Sequence, residues 1–219
     1  MTEPLRKENR VREQYDDLAV KYDSRWQGYI SSTLGYLHKW LDLKGTEKVL
    51  DVACGTGALE QLLVRSHPGQ SISGIDISEK MLSIARHKLS AYPRVAFFKA
   101  SASAISFPKE TFDVVVCANA FHYFENPLAC LIEMKRVLKR GGRIVILDWC
   151  RDYLICRLCD LFLKAFDPAY RRCYTQRELN TFLIEAKLRI LRAQKFGTSS
   201  IWGMMVADAG IEEFSGRQP

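Results

Sequence analysis

Short apolar runs alternate with amphipathic ones between residues 48 and 147, and this rhythm limits the fold more than any other feature. Residues 48–53 read as a buried strand, Cys54-Gly55-Thr56-Gly57 as a turn, and residues 58–65 as a helix stopped by Ser66-His67-Pro68-Gly69. Residues 71–76 form the next strand, and Ser78 is the N-cap of a helix reaching Leu89. Strands follow at 95–99 and 112–118, then a helix at 128–138 ended by a left-handed cap at Gly141-Gly142, then a strand at 143–147. Five such alternations with short connections predict a parallel sheet covered by helices on both faces.

The flanks follow another pattern. Residues 5–26 and 30–41 predict two helices, with Leu5, Val11, Tyr15, Leu18 and Tyr22 near a helical period. Beyond residue 148 a helix is expected over 151–166, stopped at Asp167-Pro168, then a helix from the Thr175 cap to about Lys187. Strands at 189–196 and 201–207, around Gly197-Thr198, complete the chain. No repeat or linker divides it, so residues 1–219 are expected to form one domain. Its 47% hydrophobic content is enough for an ordered core. Charged N-terminal residues and the lack of a long apolar window predict a soluble cytoplasmic protein. Seven scattered cysteines predict reduced, buried thiols, and Cys156 and Cys159, inside an apolar helix with no nearby His, predict no metal site.

Ligands of open parallel sheets bind beyond the carboxyl ends of the strands, beside the first strand. The stretch Asp51-Val-Ala-Cys-Gly55-Thr-Gly57 lies there. Gly55 lets a ligand approach backbone that a Cβ would block, and Gly57 allows the turn into the helix. Asp76 ends the second strand, where a carboxylate can accept from both ribose hydroxyls. A nucleoside is therefore the expected ligand. A dinucleotide fingerprint would need Gly where Glu60 stands, and a phosphate-binding loop needs Gly-Lys-Ser/Thr, which is absent.

Here the chain resembles the class I methyltransferases that use S-adenosylmethionine, from about Tyr15 to Ala209. Asp-x-Ala-Cys-Gly-Thr-Gly matches their first motif. Gly74-Ile-Asp76-Ile-Ser-Glu-Lys-Met81-Leu matches their second strand and helix, and Phe107-Pro-Lys-Glu-Thr-Phe112-Asp-Val-Val-Val the approach to the fourth strand. Within that group it is most similar to the ubiquinone and menaquinone C-methyltransferases, through Arg136-Val-Leu-Lys-Arg-Gly141-Gly-Arg-Ile-Val-Ile-Leu-Asp148, with Arg140 for the usual Pro and Asp148 for Glu. Tyr22-Asp23 matches their N-terminal signature, but Arg25-Trp26 replaces Met-Asn.

The resemblance implies a Rossmann-like fold, with a seven-stranded, mostly parallel sheet, an antiparallel last strand and helices on both faces. It implies that Asp51, Ala53, Gly55 and Gly57 hold the methionine part of S-adenosylmethionine, Asp76 the ribose, and Ile77 and Met81 the adenine faces. Ser101 and Ala102 would meet the adenine edge, Ser101 standing where relatives commonly have Asp. Asn119 would flank the sulfonium, and Tyr22 would close over the carboxylate. A sulfonium donor is already activated, so few catalytic groups are needed. His122, just beyond the fourth strand, is the candidate base for deprotonating an acceptor.

In such folds the N-terminal segment and the insertion after the fifth strand, here 1–45 and 149–175, cap the acceptor. The helix at 151–166 has an apolar face wider than packing on one sheet edge needs, which fits a lipophilic acceptor such as a quinol or prenylated quinone precursor. A small-molecule O- or N-methyltransferase shares every cofactor motif. A non-catalytic binding protein also remains open. Nucleic acid is disfavoured, because no Asn/Asp-Pro-Pro-Tyr motif or RNA-binding module is present. The formal charge of +7 is unevenly spread: residues 1–132 carry 16 Lys/Arg against 15 Asp/Glu, 133–195 carry 15 against 7, and 196–219 carry 1 against 3. The excess surrounds the expected cap and suits an anionic membrane surface or an acidic group on the acceptor.

Overall fold

The computed structural model describes residues 3–167, 169–197 and 202–211, with side chains described from residue 8 onward. Helix α1 (Glu3–Leu41) leads into β1 (Lys48–Val52), α2 (Ala58–Ser66), β2 (Ser71–Asp76), α3 (Glu79–Lys88), β3 (Val95–Lys99) and β4 (Phe112–Ala118). A 3-10 turn (Phe121–Tyr123) precedes α4 (Pro127–Val137), β5 (Leu138–Trp149), α5 (Leu154–Phe166), α6 (Gln176–Glu185), β6 (Leu188–Gly197) and β7 (Gly203–Ile211). The sheet order is β3-β2-β1-β4-β5-β7-β6. Strands β1 to β5 pair in parallel, and β7 runs antiparallel to both neighbours. The expected seven-stranded sheet with an antiparallel last strand is what forms.

Strand alternation gives the two sheet faces separate cores. Val49, Val114, Val145 and Leu147 pack under Leu34, Leu37 and Leu41 of α1, with α2 and α3. Leu50, Val52, Val115, Ile144 and Ile146 pack under α4 and α6. Both expected caps form. Ser78 Oγ accepts from Met81 N–H at 3.1 Å, and Thr175 makes a reciprocal capping box with Glu178.

Three expectations need correction. Residues 5–26 and 30–41 are one helix, which runs through Gly28 even though an interior Gly costs about 1 kcal/mol. The packing of Leu34, Leu37 and Leu41 fixes its second half, and contacts described below fix its first. Gly141-Gly142 does not cap α4. The helix ends at Val137, and residues 139–142 bulge out of β5 opposite Asp113, since Phe112 pairs with Leu138 and Val114 with Arg143. Gly141 takes φ +74°, and a Cβ on Gly142 would stand 2.7 Å from the Asp113 carbonyl, so the glycines serve the bulge. Finally, the helix after residue 150 begins at Leu154, because residues 151–153 turn away from β5. The expected features at Pro168, Thr198 and Ile201, and the side chain of Leu5, lie outside the described residues.

Candidate active site

At the carboxyl ends of β1, β2 and β4 lies a cavity of about 650 Å³, within the range of small-molecule sites. Its floor is backbone. Ala53, one residue past β1, has φ +62°, and Asn119, one past β4, has φ +57°. Non-glycine residues in this conformation cost about 1–3 kcal/mol and persist where surrounding structure over-determines them. The two adjacent central strands thus both turn sharply at the cavity. Gly55 has φ +55° and a Cβ there would meet no protein atom within 4 Å, so the missing side chain leaves room for a ligand.

Asp51, Ala53, Gly55, Asp76, Ile77, Met81, Ser101, Ala102, Asn119 and Tyr22 all line this cavity. Gly57 does not. Its φ of +78° permits the turn into α2, but a Cβ would run into Leu89 and Ala85 of the α3 region at 3.0 and 3.1 Å. Its function is close packing behind the loop.

One wall is acidic. Asp76 accepts the N–H groups of Gly55 at 2.9 Å and Ser78 at 2.8 Å, which ties the glycine loop to the end of β2. Burial raises the Asp76 carboxyl above its usual range, while the N–H groups of Ser78, Gly55 and Ile77 oppose that rise. Asp51 is 3% exposed and its Oδ1 has no hydrogen-bond partner among the described residues. Glu60, fully buried and behind the lining, lies in side-chain hydrogen-bonding contact with Asp51, so each carboxyl influences the ionisation of the other. Burial is the main force pushing the Asp51 carboxyl up, followed by repulsion from Glu60 and Asp76. Burial likewise raises Glu60 to about 7. Ionising both members of a buried carboxyl pair is costly, and a cation beside Asp51 offsets that cost. The wall therefore suits a positively charged ligand, and with Gly55 and Asp76 beside it, one carrying a nucleoside. S-adenosylmethionine fits this donor set: Asp51 could meet its ammonium, Asp76 the ribose, and Ile77 and Met81 the base.

Helix α1 is latched over the pocket. Thr56 Oγ1 donates to Asp23 at 2.5 Å, and Lys88 pairs with the other oxygen of Asp23 at 2.5 Å. Ser78 Oγ donates to Asp16 at 2.5 Å. Tyr29 OH donates to Asn119 Oδ1 at 2.7 Å, and Asn119 Nδ2 donates to Thr33 at 3.2 Å. Asn119 thus spends its side chain on α1. Tyr15, Tyr22 and Tyr123 form an aromatic cluster with centroids 5.9 and 5.5 Å apart. Burial lifts the Tyr22 and Tyr123 hydroxyls to about 12, so they stay neutral donors. At the far end the lining becomes Val11, Phe124, Pro127 and Cys130, with Glu8 and the Arg171–Glu125 ion pair.

His122 is not brought to the cavity wall. It is 3% exposed, its Nδ1 lies 2.7 Å from Asp148 Oδ1, and its ring stacks on Trp149 at 4.7 Å. The backbone N–H of His122 donates to the other Asp148 oxygen at 2.9 Å. The 3-10 turn buries the ring on the β5 side and presents its neighbour Tyr123 to the cavity. No groups able to hold a metal ion occur among the described residues.

Ser103, the latch residue Asp16 and the site roles of Tyr15 and Glu60 escaped the sequence reading, whereas Asp23 stood in the N-terminal signature and Arg171 in the basic excess around the expected cap. Tyr15 had a usable signal, because it precedes Tyr22 by two helical turns and shares its face. Glu60 showed only as a departure from a glycine pattern, and Arg171 only as one of several basic residues around the expected cap.

The comparisons agree with this geometry. Residues 50–146 match the methyltransferase domain family. The chain is 36% identical over 141 residues to the demethylmenaquinone methyltransferase of Thermus thermophilus, covering 62% of this chain and 64% of that protein, just under two thirds of its length. It is 30% identical over 205 residues to the ubiquinone/menaquinone biosynthesis C-methyltransferase UbiE of Geobacter sulfurreducens, covering 87% of this chain and 78% of the relative. A solved SAM-dependent methyltransferase from Aquifex aeolicus superposes with a TM-score of 0.71 at 24% identity, over 90% of this chain and 98% of the other. With the glycine loop, the paired Asp51 and Asp76 and the strand order in place, the chain belongs to the UbiE-like class I methyltransferases that use S-adenosylmethionine.

Proposed function

We propose that the chain transfers a methyl group from S-adenosylmethionine to a small lipophilic acceptor of the quinol type, held between α1 and residues 149–175. The observation that carries this is the difference between the two ends of the cavity. Its cofactor end presents Asp51 and Asp76, and its other end is lined by Val11, Phe124, Pro127 and Cys130, with Glu8 and the Arg171–Glu125 ion pair as the charged groups there. The names of the relatives, which act on demethylmenaquinone or belong to quinone biosynthesis, support the same acceptor class.

S-adenosylmethionine supplies a methyl group already activated on a sulfonium. The chain's part is to fix the acceptor behind that methyl and keep water out. Asp51 and Asp76 bind the donor through its charge and its ribose. Ala53 and Asn119, turned by their strained backbone, shape the floor between the two ligands. The Tyr15–Tyr22–Tyr123 cluster and the Asp16 and Asp23 latches hold α1 down as a roof. Arg171, a lining residue ion-paired with Glu125, places a cation at the acceptor end.

Transfer of labelled methyl from S-adenosylmethionine to a reduced, prenylated naphthoquinol, compared with polar phenols, amines and tRNA, tests the proposal. Label is expected in the lipid extract of the quinol reaction. Label only in the polar phenols or amines would replace the acceptor with the O- or N-methyl alternative, and label only in tRNA would overturn it altogether.

A further inference from the structure

Helix α5 is unlike the other helices in the direction of its apolar face. Leu154, Leu158, Leu161, Phe162 and Phe166 are each between 53 and 71% exposed. At 3.6 residues per turn they form one stripe, and the residues α5 buries, Cys156 and Asp160, lie on the opposite side. The inner face combines a small apolar cluster, Cys156 and Leu163 against Tyr170 and Cys173, with a satisfied carboxylate: Asp160 accepts from Tyr170 OH at 3.0 Å, Cys173 N–H at 2.7 Å and Lys164 at 2.7 Å. The helix therefore docks through a carboxylate network and turns its hydrophobic residues outward, the reverse of an ordinary surface helix. Phe162 and Phe166 stack on each other at 4.6 Å at its exposed end.

Basic residues border the stripe. Arg157 and Lys164 lie on the helical edge between the apolar and buried faces, and both are exposed. Arg157 makes no ion pair among the described residues, and the surrounding segment 133–195 holds the chain's charge excess. An outward apolar face with a cationic border is the pattern of a helix lying in the headgroup layer of an anionic bilayer. At about 20 Å in length α5 is too short to span one, and no helix among the described residues is long and apolar enough to cross a membrane. A second copy of the chain fits less well, because a two-fold contact through this stripe would bring the basic borders together.

We infer that α5 seats the protein on an anionic lipid surface through Leu154, Leu158, Leu161, Phe162 and Phe166, with Arg157 at the headgroups. The location has a use. Ala169 and Arg171, just beyond the end of α5, line the cavity, and Gln14 of α1 donates to Asp167 at 3.2 Å where the two walls meet. The stripe thus leads into the acceptor end of the site, and a lipid-dissolved acceptor would enter there. Membrane seating does not depend on the acceptor assignment, although its use for acceptor delivery does.

Co-sedimentation of the full chain with vesicles, without cofactor or acceptor, tests the inference apart from the methyl-transfer reading. Binding is expected to phosphatidylcholine vesicles carrying about 30% phosphatidylglycerol, weakened at high salt and weak on phosphatidylcholine alone. Leu158→Asp with Phe162→Asp should lower binding at least about tenfold, and Arg157→Gln about fivefold. The double variant should bind S-adenosylmethionine in calorimetry as the wild type does, showing that it is folded. A wild type that stays in the supernatant, a double variant that sediments equally, or a wild-type dimer split by the double substitution would each overturn the inference.

Discussion

The two ends of the cavity follow different building rules. The cofactor end is made of backbone and carboxylates placed by the ends of β1 and β2, and each group comes from a few consecutive residues around Asp51 or Asp76. The acceptor end is made of side chains from the first turns of α1, the start of α4 and the loop after α5, residues more than 150 positions apart. The first is specified by local geometry and tolerates little change. The second is specified by shape and polarity, and can be altered without disturbing the donor.

Substitutions should separate the two ends. The largest effect is expected from Gly55→Val, which forces a β-branched residue into φ +55° and pushes a side chain into the cavity. Binding of S-adenosylmethionine by calorimetry should fall below detection, and Gly55→Ala should be intermediate. Next, Asp51→Asn keeps the shape but removes a buried charge facing a cation, and should weaken binding about 30-fold or more. Its melting temperature should not fall, because repulsion with Glu60 disappears. At the other end, Val11→Trp should raise the acceptor KM at least about tenfold while leaving cofactor affinity within about threefold. An equal loss of cofactor affinity would show that the two ends are one unit.

The acidic wall also makes a pH prediction. Glu60 titrates near 7 in the folded chain against 4.5 ordinarily. Between those values the folded state binds more protons than the unfolded one, so this group's contribution to stability is lost as pH rises through that window. A cationic ligand needs the ionised form. Affinity for S-adenosylmethionine should therefore drop up to about tenfold from pH 8 to pH 6, and the melting-temperature gain on binding should be larger at pH 8. Glu60→Gln should flatten both trends, and an opposite slope would contradict the charged-wall account. The smallest effect on chemistry is expected from His122→Ala. Turnover should stay within about threefold, while loss of the Asp148 bond and the Trp149 stack should cost about 2–3 kcal/mol in denaturant unfolding.

The same contrast explains what the sequence made legible. The strand ends, the Ser78 and Thr175 caps and ten of the cavity residues follow from motifs whose chemistry is local. The continuity of α1 did not, because Gly28 weakens a helix that tertiary contacts at Tyr29, Thr33 and Leu34 restore. His122 misled for a related reason. Its position after β4 suggests the acceptor site, but only the fold shows that Asp148, at the end of β5, draws the ring inward. The Gly141-Gly142 bulge likewise depends on pairing with Asp113 in another strand. The latch contacts of Asp16 and Asp23 became visible only when α1 met the glycine loop and the start of α3.

The most direct measurement is a calorimetric titration of S-adenosylmethionine into the full chain at pH 8, repeated with Asp51→Asn. The account predicts one site per chain in the wild type and a weakening of about 30-fold or more in the variant. Absence of binding in the wild type, or equal affinity in the two proteins, would contradict it.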